Sequence, residues 1–387
     1  MNTENLSALA VGIGVVILIT GFGIYFNSPD LNKIASGKQD QQKTDFVPAT
    51  IVVNNNNVTK VHIDKSQFKL APDLSKISGY INTNPIKISD LKGKVVLIDF
   101  WTYSCINCIR TIPYLNAWYE KYADKGLVIV GVHTPEFEFE KNYDNVKAAV
   151  EKFGIKYPVV QDNDKGTWEA YQNRYWPHKY IVDDEGYIRY DHIGEGGYAD
   201  TEKVIQSLLA EHAASKGANI TIDKSVSNPQ NAQSVDFGKI NTPELYFGYQ
   251  YARAPLGNPE GFKPDQVVKY TVPTDANNLT PNAIYLEGEW KNNADSMVLQ
   301  SDSGRIMLIY SAKAANIVAG GHGQVQVSED GASVTAKSRG SDVSEDGQLV
   351  INNQRLYNIA KHEQYGEHAL VLDVKGGGFQ IYTFTFG

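Results

Sequence analysis

The sequence predicts three parts: a single apolar N-terminal transmembrane helix, an α/β domain built on a mixed sheet, and an all-β sandwich of jelly-roll type. Three observations carry this. Leu6 to Phe26 holds no charged residue. Between about residues 66 and 214, buried-strand patterns alternate with helical ones, as layered α/β domains require. Beyond about residue 236, short β-branched and aromatic runs are separated by Asp-Gly and Gly-Gly turns, and no long helical pattern interrupts them.

The elements follow in order. After a short tail (1–5), the run LSALAVGIGVVILITGFGIYF (6–26) would extend roughly 30 Å as a helix, the thickness of a bilayer core. It lacks the basic flank and small-residue cleavage site of a signal peptide, so it reads as an uncleaved anchor. Lys33, Lys38 and Lys43 follow it, a bias too slight to orient a large domain. Residues 27–65 are rich in Asn, Gln, Lys and Asp and read as a linker, in which TIVV and VTKVHI can pair as a short hairpin.

In the central block (66–214), KVVLIDF (94–100) is almost continuously apolar, as a strand buried on both faces must be. Ile112, Leu115, Tyr119 and Tyr122 recur at helical spacing until Gly126 ends the run. LVIVGV (127–132) is a second buried strand, NVKAAVEKF (145–153) a helix, YPVVQ (157–161) a third strand and TWEAYQNRY (167–175) another helix. KYIVD (179–183), a DEG turn and YIRYDHI (187–193) form a hairpin, and residues 199–212 close the block as a helix. A polar linker (215–235) leads to the last block (236–387), where Asp330-Gly331, Asp346-Gly347 and Gly376-Gly377-Gly378 mark turns.

Composition bounds the function. A formal net charge of −8 argues against a nucleic-acid partner, which would reward a basic face. No histidine pair in the central block has zinc-ligand spacing, and His362 and His368 fall outside it, so no metal is expected. That leaves WTYSCINCIR (101–110), which holds the chain's two cysteines. A purely structural disulfide there would close a very short loop and constrain little of the unfolded chain. At the start of a helix that follows a buried strand, backbone N–H groups and the helix dipole instead favour a thiolate at Cys105. Cys108, one turn further in, would be the more buried resolving thiol. A C-x-x-C in a βαβ setting reads as a redox dithiol, so the one redox group expected is the Cys105–Cys108 disulfide itself, with no other cofactor.

The stretch DFWTYSCINCIRTIP (99–113) resembles a thioredoxin active site. Asp99 stands where thioredoxins carry a buried acid, and Trp101 and Pro113 match the family's tryptophan and helix-kinking proline. YWPHKYIVDDEG (175–186) resembles the segment that carries the family's cis-proline, which would be Pro177. Together with VGVHTPEFEFEK (130–141), HIGEGGY (192–198), TPELYFGYQYAR (242–253) and the terminal FTFG, these motifs resemble the extracytoplasmic region of DipZ-type proteins. In that family a TlpA-like thioredoxin domain precedes a β-domain similar to carbohydrate-binding modules. DipZ-type proteins begin with a multi-span electron-conducting membrane domain, whereas this chain shows one span, so a separate membrane electron donor is expected.

The resemblance implies roles for named residues. Cys105 would attack a target disulfide and Cys108 would resolve the mixed disulfide, with Asp99, its pKa raised by burial, as general base. Trp101, Trp176, Pro177 and His178 would form the substrate-facing surface. By their place in the chain, Arg110 could hold the thiolate or solvate the helix face, and His133 and Glu136, after strand LVIVGV, could tune the dithiol or belong to a solvated acidic turn. Tyr246, Tyr249, Tyr251 and Trp290 are candidate sugar-stacking aromatics, with sandwich core as their alternative use. Asn57-Val58-Thr59, Asn219-Ile220-Thr221 and Asn278-Leu279-Thr280 fit the N-glycosylation acceptor pattern, all beyond the anchor. The expectation is a membrane-anchored, extracytoplasmic thiol–disulfide oxidoreductase that reduces protein disulfides. Two alternatives stand beside it: a glycan- or protein-binding surface protein with a non-catalytic scaffold, and a thiol peroxidase. The last needs Pro-x-x-x-Thr-x-x-Cys, and IDFWTYSC (98–105) has the threonine without the proline.

Overall fold

The computed structural model describes residues 53–54, 57–58, 65–217, 221–272 and 279–387. The expected anchor (6–26), most of the first linker, and the acceptor asparagines Asn219 and Asn278 lie outside the described residues. Among the described residues no helix is long and apolar enough to cross a membrane. In the linker, β1 (Val53–Asn54) and β2 (Asn57–Val58) pair antiparallel where a short hairpin was expected.

The central block forms a six-stranded mixed sheet of order β3-β6-β5-β4-β7-β8. Its strands are β3 (Gly79–Ile81), β4 (Val95–Trp101), β5 (Leu127–His133), β6 (Val159–Gln161), β7 (His178–Val182) and β8 (Ile188–Ile193). β4 runs parallel to β5 and antiparallel to β7, and all seven of its residues are buried. Because side chains alternate across a strand, β4 feeds two cores at once. Val95, Leu97 and Trp101 pack with Leu115, Trp118 and Leu208 on one face. Val96, Ile98 and Phe100 pack with Val130, Trp168 and Tyr180 on the other. This double burial is why KVVLIDF shows no polar alternation except Asp99. The helices are α1 (Ile106–Tyr122), α2 (Tyr143–Lys152), α3 (Gly166–Ala170) and α4 (Tyr198–Ser215). α3 is much shorter than the expected 167–175, because Gln172 takes a left-handed backbone (φ 53) and turns the chain toward Trp176 and Pro177.

The last block is a large all-β domain. Its strands, β9 (Leu245–Tyr246), β10 (Val267–Tyr270), β11 (Tyr285–Asn292), β12 (Met297–Leu299), β13 (Ser303–Gly320), β14 (Gly323–Glu329), β15 (Ala332–Ser333), β16 (Gln348–Ile351), β17 (Arg355–Lys375) and β18 (Gln380–Phe386), join one antiparallel sheet system. The sequence suggests short strands, yet β13 and β17 run 18 and 21 residues. The ladder between them shifts register at Ala312/Ala314 and Ala315/Asn316. Such a bulge bends a strand without any breaker residue, so it leaves no mark in the sequence pattern. Trp290, Tyr310, Tyr357, Phe379 and Phe384 are buried in this domain's core. Three further residues of the domain, Tyr246, Val318 and Tyr382, belong instead to the core that surrounds Trp101, so the two blocks share an interface.

Candidate active site

β4 ends at Trp101, and the chain turns through Thr102–Ser104 into α1. Cys105 is the N-cap of that helix, with an extended backbone (φ −78, ψ 117). Its Sγ therefore faces the free amides of the first turn and accepts the Cys108 N–H at 3.3 Å. Both cysteines are thiols; Cys105 is half-buried and Cys108 buried. Burial pushes the Cys108 thiol well up, helped by its hydrogen bond to Cys105 and by the charges of Cys105 and Asp99. The geometry separates a half-buried sulfur at the helix N-cap from an inner one held as a thiol.

Asp99, on β4, is buried, and its Oδ1 has no hydrogen-bond partner among the described residues. Desolvation raises it from 3.8 to about 7, against the pull of the Lys179 charge. Lys179 lies directly opposite Asp99 in the β4–β7 ladder, fully buried, with Nζ donating to the Gly194 carbonyl at 3.1 Å. Burial in turn lowers Lys179. Sequence reasoning missed this lysine, although an ionisable residue inside the apolar run KYIV was a visible signal.

The Trp176–Pro177 peptide is cis. Trp176 lies just outside β7, so its main chain is not committed to that ladder; its ring packs on Trp168 (4.2 Å) and its Nε1 donates to the Thr134 carbonyl at 3.0 Å. His178 is buried and faces inward, with Nδ1 2.7 Å from Asn173 Oδ1 and Nε2 3.0 Å from Asp191 Oδ2. Its ring is occupied by these partners rather than presented to a substrate. Trp101 is likewise buried, edge-on to His133 at 5.2 Å. Burial lowers His133 to about 3, so this ring is neutral at physiological pH.

The remaining tuning candidates are engaged elsewhere. Arg110 is buried, its Nε donating to Glu195 Oε2 at 2.8 Å and its Nη2 to Asn107 Oδ1 at 2.7 Å. Glu136 sits at the interface with the β-domain. There the Tyr246 hydroxyl lies 2.7 Å from Glu136 Oε1 and 2.9 Å from Glu244 Oε2. A phenol has one hydrogen, so with both contacts made one carboxyl must carry a proton of its own. Burial, reinforced by Glu244 and Glu140, raises Glu136 to about 8. Glu140, in the acidic stretch that follows strand LVIVGV, holds the turn before the dithiol: Ser104 Oγ donates to its Oε1 at 2.5 Å, and the Glu136 and Phe137 amides donate to its Oε2.

The β-domain aromatics are spent on packing. Trp290 is core, its Nε1 donating to the Glu287 carbonyl. Tyr246 and Tyr251 stack at 5.9 Å against Phe137, and the Tyr251 hydroxyl donates to the Glu136 carbonyl. The Tyr249 hydroxyl is bonded to Asp265. The structure does not bring these four together as an open stacking platform.

Two family models match: the AhpC/TSA family over residues 68–191 and a thioredoxin-like C-terminal domain over residues 242–387. The thiol–disulfide oxidoreductase YkuV of Bacillus subtilis is 30% identical over 140 residues, 36% of this chain and 94% of YkuV. The chain belongs to the thioredoxin-like thiol–disulfide oxidoreductases. Within that family the likeness to DipZ of Mycobacterium tuberculosis extends through both blocks, at 36% identity over 321 residues, 82% of this chain. The chain spans 43% of DipZ's length. ResA of Bacillus thuringiensis, another thiol–disulfide oxidoreductase, is 33% identical over 110 residues, 28% of this chain and 61% of ResA.

Proposed function

We propose that the protein reduces disulfide bonds in other proteins outside the cytoplasm, tethered by the apolar run 6–26 and re-reduced by a separate membrane electron donor. The observation that carries this reading is the asymmetric dithiol: Cys105 half-exposed at a helix N-cap, Cys108 buried behind it beside Asp99. The Cys105 thiolate attacks one sulfur of the target disulfide, forms the mixed disulfide and expels a substrate thiolate. Cys108 then gives its proton to the Asp99 carboxylate and attacks Cys105 Sγ. The Cys105–Cys108 disulfide forms, the second substrate thiolate leaves, and two electrons have passed to the substrate. An acid at about 7 is matched to this proton transfer, since efficient general bases titrate near the working pH. In this reading a substrate strand runs past Cys105 along Trp176 and Pro177, a role supported by the Trp176 main chain lying outside the β7 ladder.

The test is the reduction potential of the full-length protein, equilibrated against thioredoxin or glutathione couples. A value near about −270 mV, like thioredoxin, supports a reductant. One near about −120 mV, like DsbA, would make the protein a disulfide donor, and the absence of a reversible couple would remove the activity altogether.

A further inference from the structure

A cleft of about 650 Å³ lies between the two domains, immediately beside the dithiol. Ile106 and Ile109, on the first turns of α1 after Cys105, form one wall with Phe153. The opposite wall is the start of β17 and the residues before it, including Asn353 and Gln354. One hydrogen bond ties these walls together, from the Tyr103 hydroxyl to the Gln354 carbonyl at 3.3 Å, and Gln354 is held within the β-domain by donating Nε2 to the Tyr382 hydroxyl at 3.1 Å. The β-domain therefore completes a site that begins next to the reactive sulfur.

The chemistry of the lining is specific. Its volume falls in the range of about 300–1,000 Å³ typical of ligand sites, room for a few residues of extended chain. The isoleucines and Phe153 offer apolar surface, while side-chain amides offer donors and acceptors of the kind that a polypeptide backbone needs. Arg355 is neutralised by Asp342 at 2.8 Å. Lys152 on α2 and Lys361 on β17 line the cleft from opposite domains, and neither makes an ion pair among the described residues. In a chain of net charge −8, two cations that line one cleft without a carboxylate partner among the described residues, Lys152 lying over the Phe153 ring at 5.7 Å, mark a complementary place for negative charge.

From this we infer that the interdomain cleft binds an extended, acidic segment of the substrate protein next to its target cysteine, and that the β-domain acts as a specificity arm for the dithiol. The inference rests on the disulfide-reductase reading and adds the substrate class to it. The full-length protein, with a thiol donor in excess, is assayed on four disulfides. They are a peptide with acidic residues flanking its cystine, the same peptide with lysines there, glutathione disulfide, and uncharged hydroxyethyl disulfide. The K152E/K361E variant is compared with wild type, the rate on hydroxyethyl disulfide being the internal reference.

The ratio of kcat/KM for the acidic peptide to that reference is expected to fall roughly fivefold or more, as reversing two exposed charge pairs allows. The ratio for the lysine peptide should rise. Unchanged ratios would overturn the inference while leaving the reductase reading intact. An equal fall for glutathione disulfide and the acidic peptide would also overturn it, because the cleft would then take small anionic disulfides. No reduction of any substrate by wild type would sink the reductase reading first, and the inference with it.

Discussion

Replacing Asp99 by Asn keeps the shape of a buried side chain and removes the carboxyl that titrates beneath Cys108. Burial raises Asp99 from 3.8 to about 7. The folded protein therefore keeps this proton after the unfolded chain has released it. Asp99 stabilises the fold fully below about pH 4, and that contribution is lost as pH rises through about 7. With one extra proton bound by the folded state, the slope is about 1.4 kcal/mol per pH unit, or roughly 4 kcal/mol across the window. D99N has nothing to titrate there. Below about pH 7 the wild-type carboxyl is itself mostly neutral, so the substitution removes little charge from beside Lys179 in that range.

Denaturant unfolding of both proteins at pH 4, 6 and 8, followed by tryptophan fluorescence, measures this directly. The stability of D99N minus that of wild type should grow by on the order of 4 kcal/mol from pH 4 to pH 8. In the same variant the collapse of the Cys105 mixed disulfide should slow on the order of a hundredfold or more, the usual contribution of a general base. Parallel stability curves would refute the claim that Asp99 ionises at a cost inside the sheet. Normal resolution of the mixed disulfide would refute its role as the base.

Three further outcomes are expected. Lys179→Met removes the cation that favours ionised Asp99, so the pH midpoint of the resolving step should move above about 7; a pH–rate profile with an unmoved midpoint would separate the two residues. Arg110→Met leaves Glu195 buried without its guanidinium and should cost about 3–5 kcal/mol in unfolding free energy, a loss that Glu195→Gln in the same chain should largely restore. Glu136, raised to about 8, supports the domain interface fully below its ordinary 4.5 and loses that support as pH passes 8. Hydrogen exchange at Leu245–Phe247 should thus quicken between pH 7 and 9 in wild type, and Glu136→Gln should abolish that extra pH dependence.

The placing of the cysteine pair was legible because its signal is local. Two cysteines three apart, after a doubly buried strand and at the head of a helix, need no distant partner to be recognised, and Pro113 and Pro177 read equally well in short motifs. The central strands were legible for a related reason: burial on both faces erases polar alternation, as in LVIVGV. The β-domain was legible in class but not in strand length, because the bend in β13 at Ala312–Asn316 is a register shift rather than a breaker residue.

By itself, then, the sequence determined where the two cysteines stand, at the head of a helix behind a buried strand, and the alternation of strands and helices that carries them, because both depend on neighbours along the chain. The tertiary structure alone decided which ionisable groups act together. Asp99 meets Lys179 across a ladder between strands 80 residues apart in the chain, and Arg110 meets Glu195 at a separation of 85. Tyr246 reaches back 110 residues to Glu136, and Tyr103 is tied to Gln354 across 251. Desolvation and shared protons arise from what surrounds a side chain in space, and no spacing in the sequence encodes that enclosure.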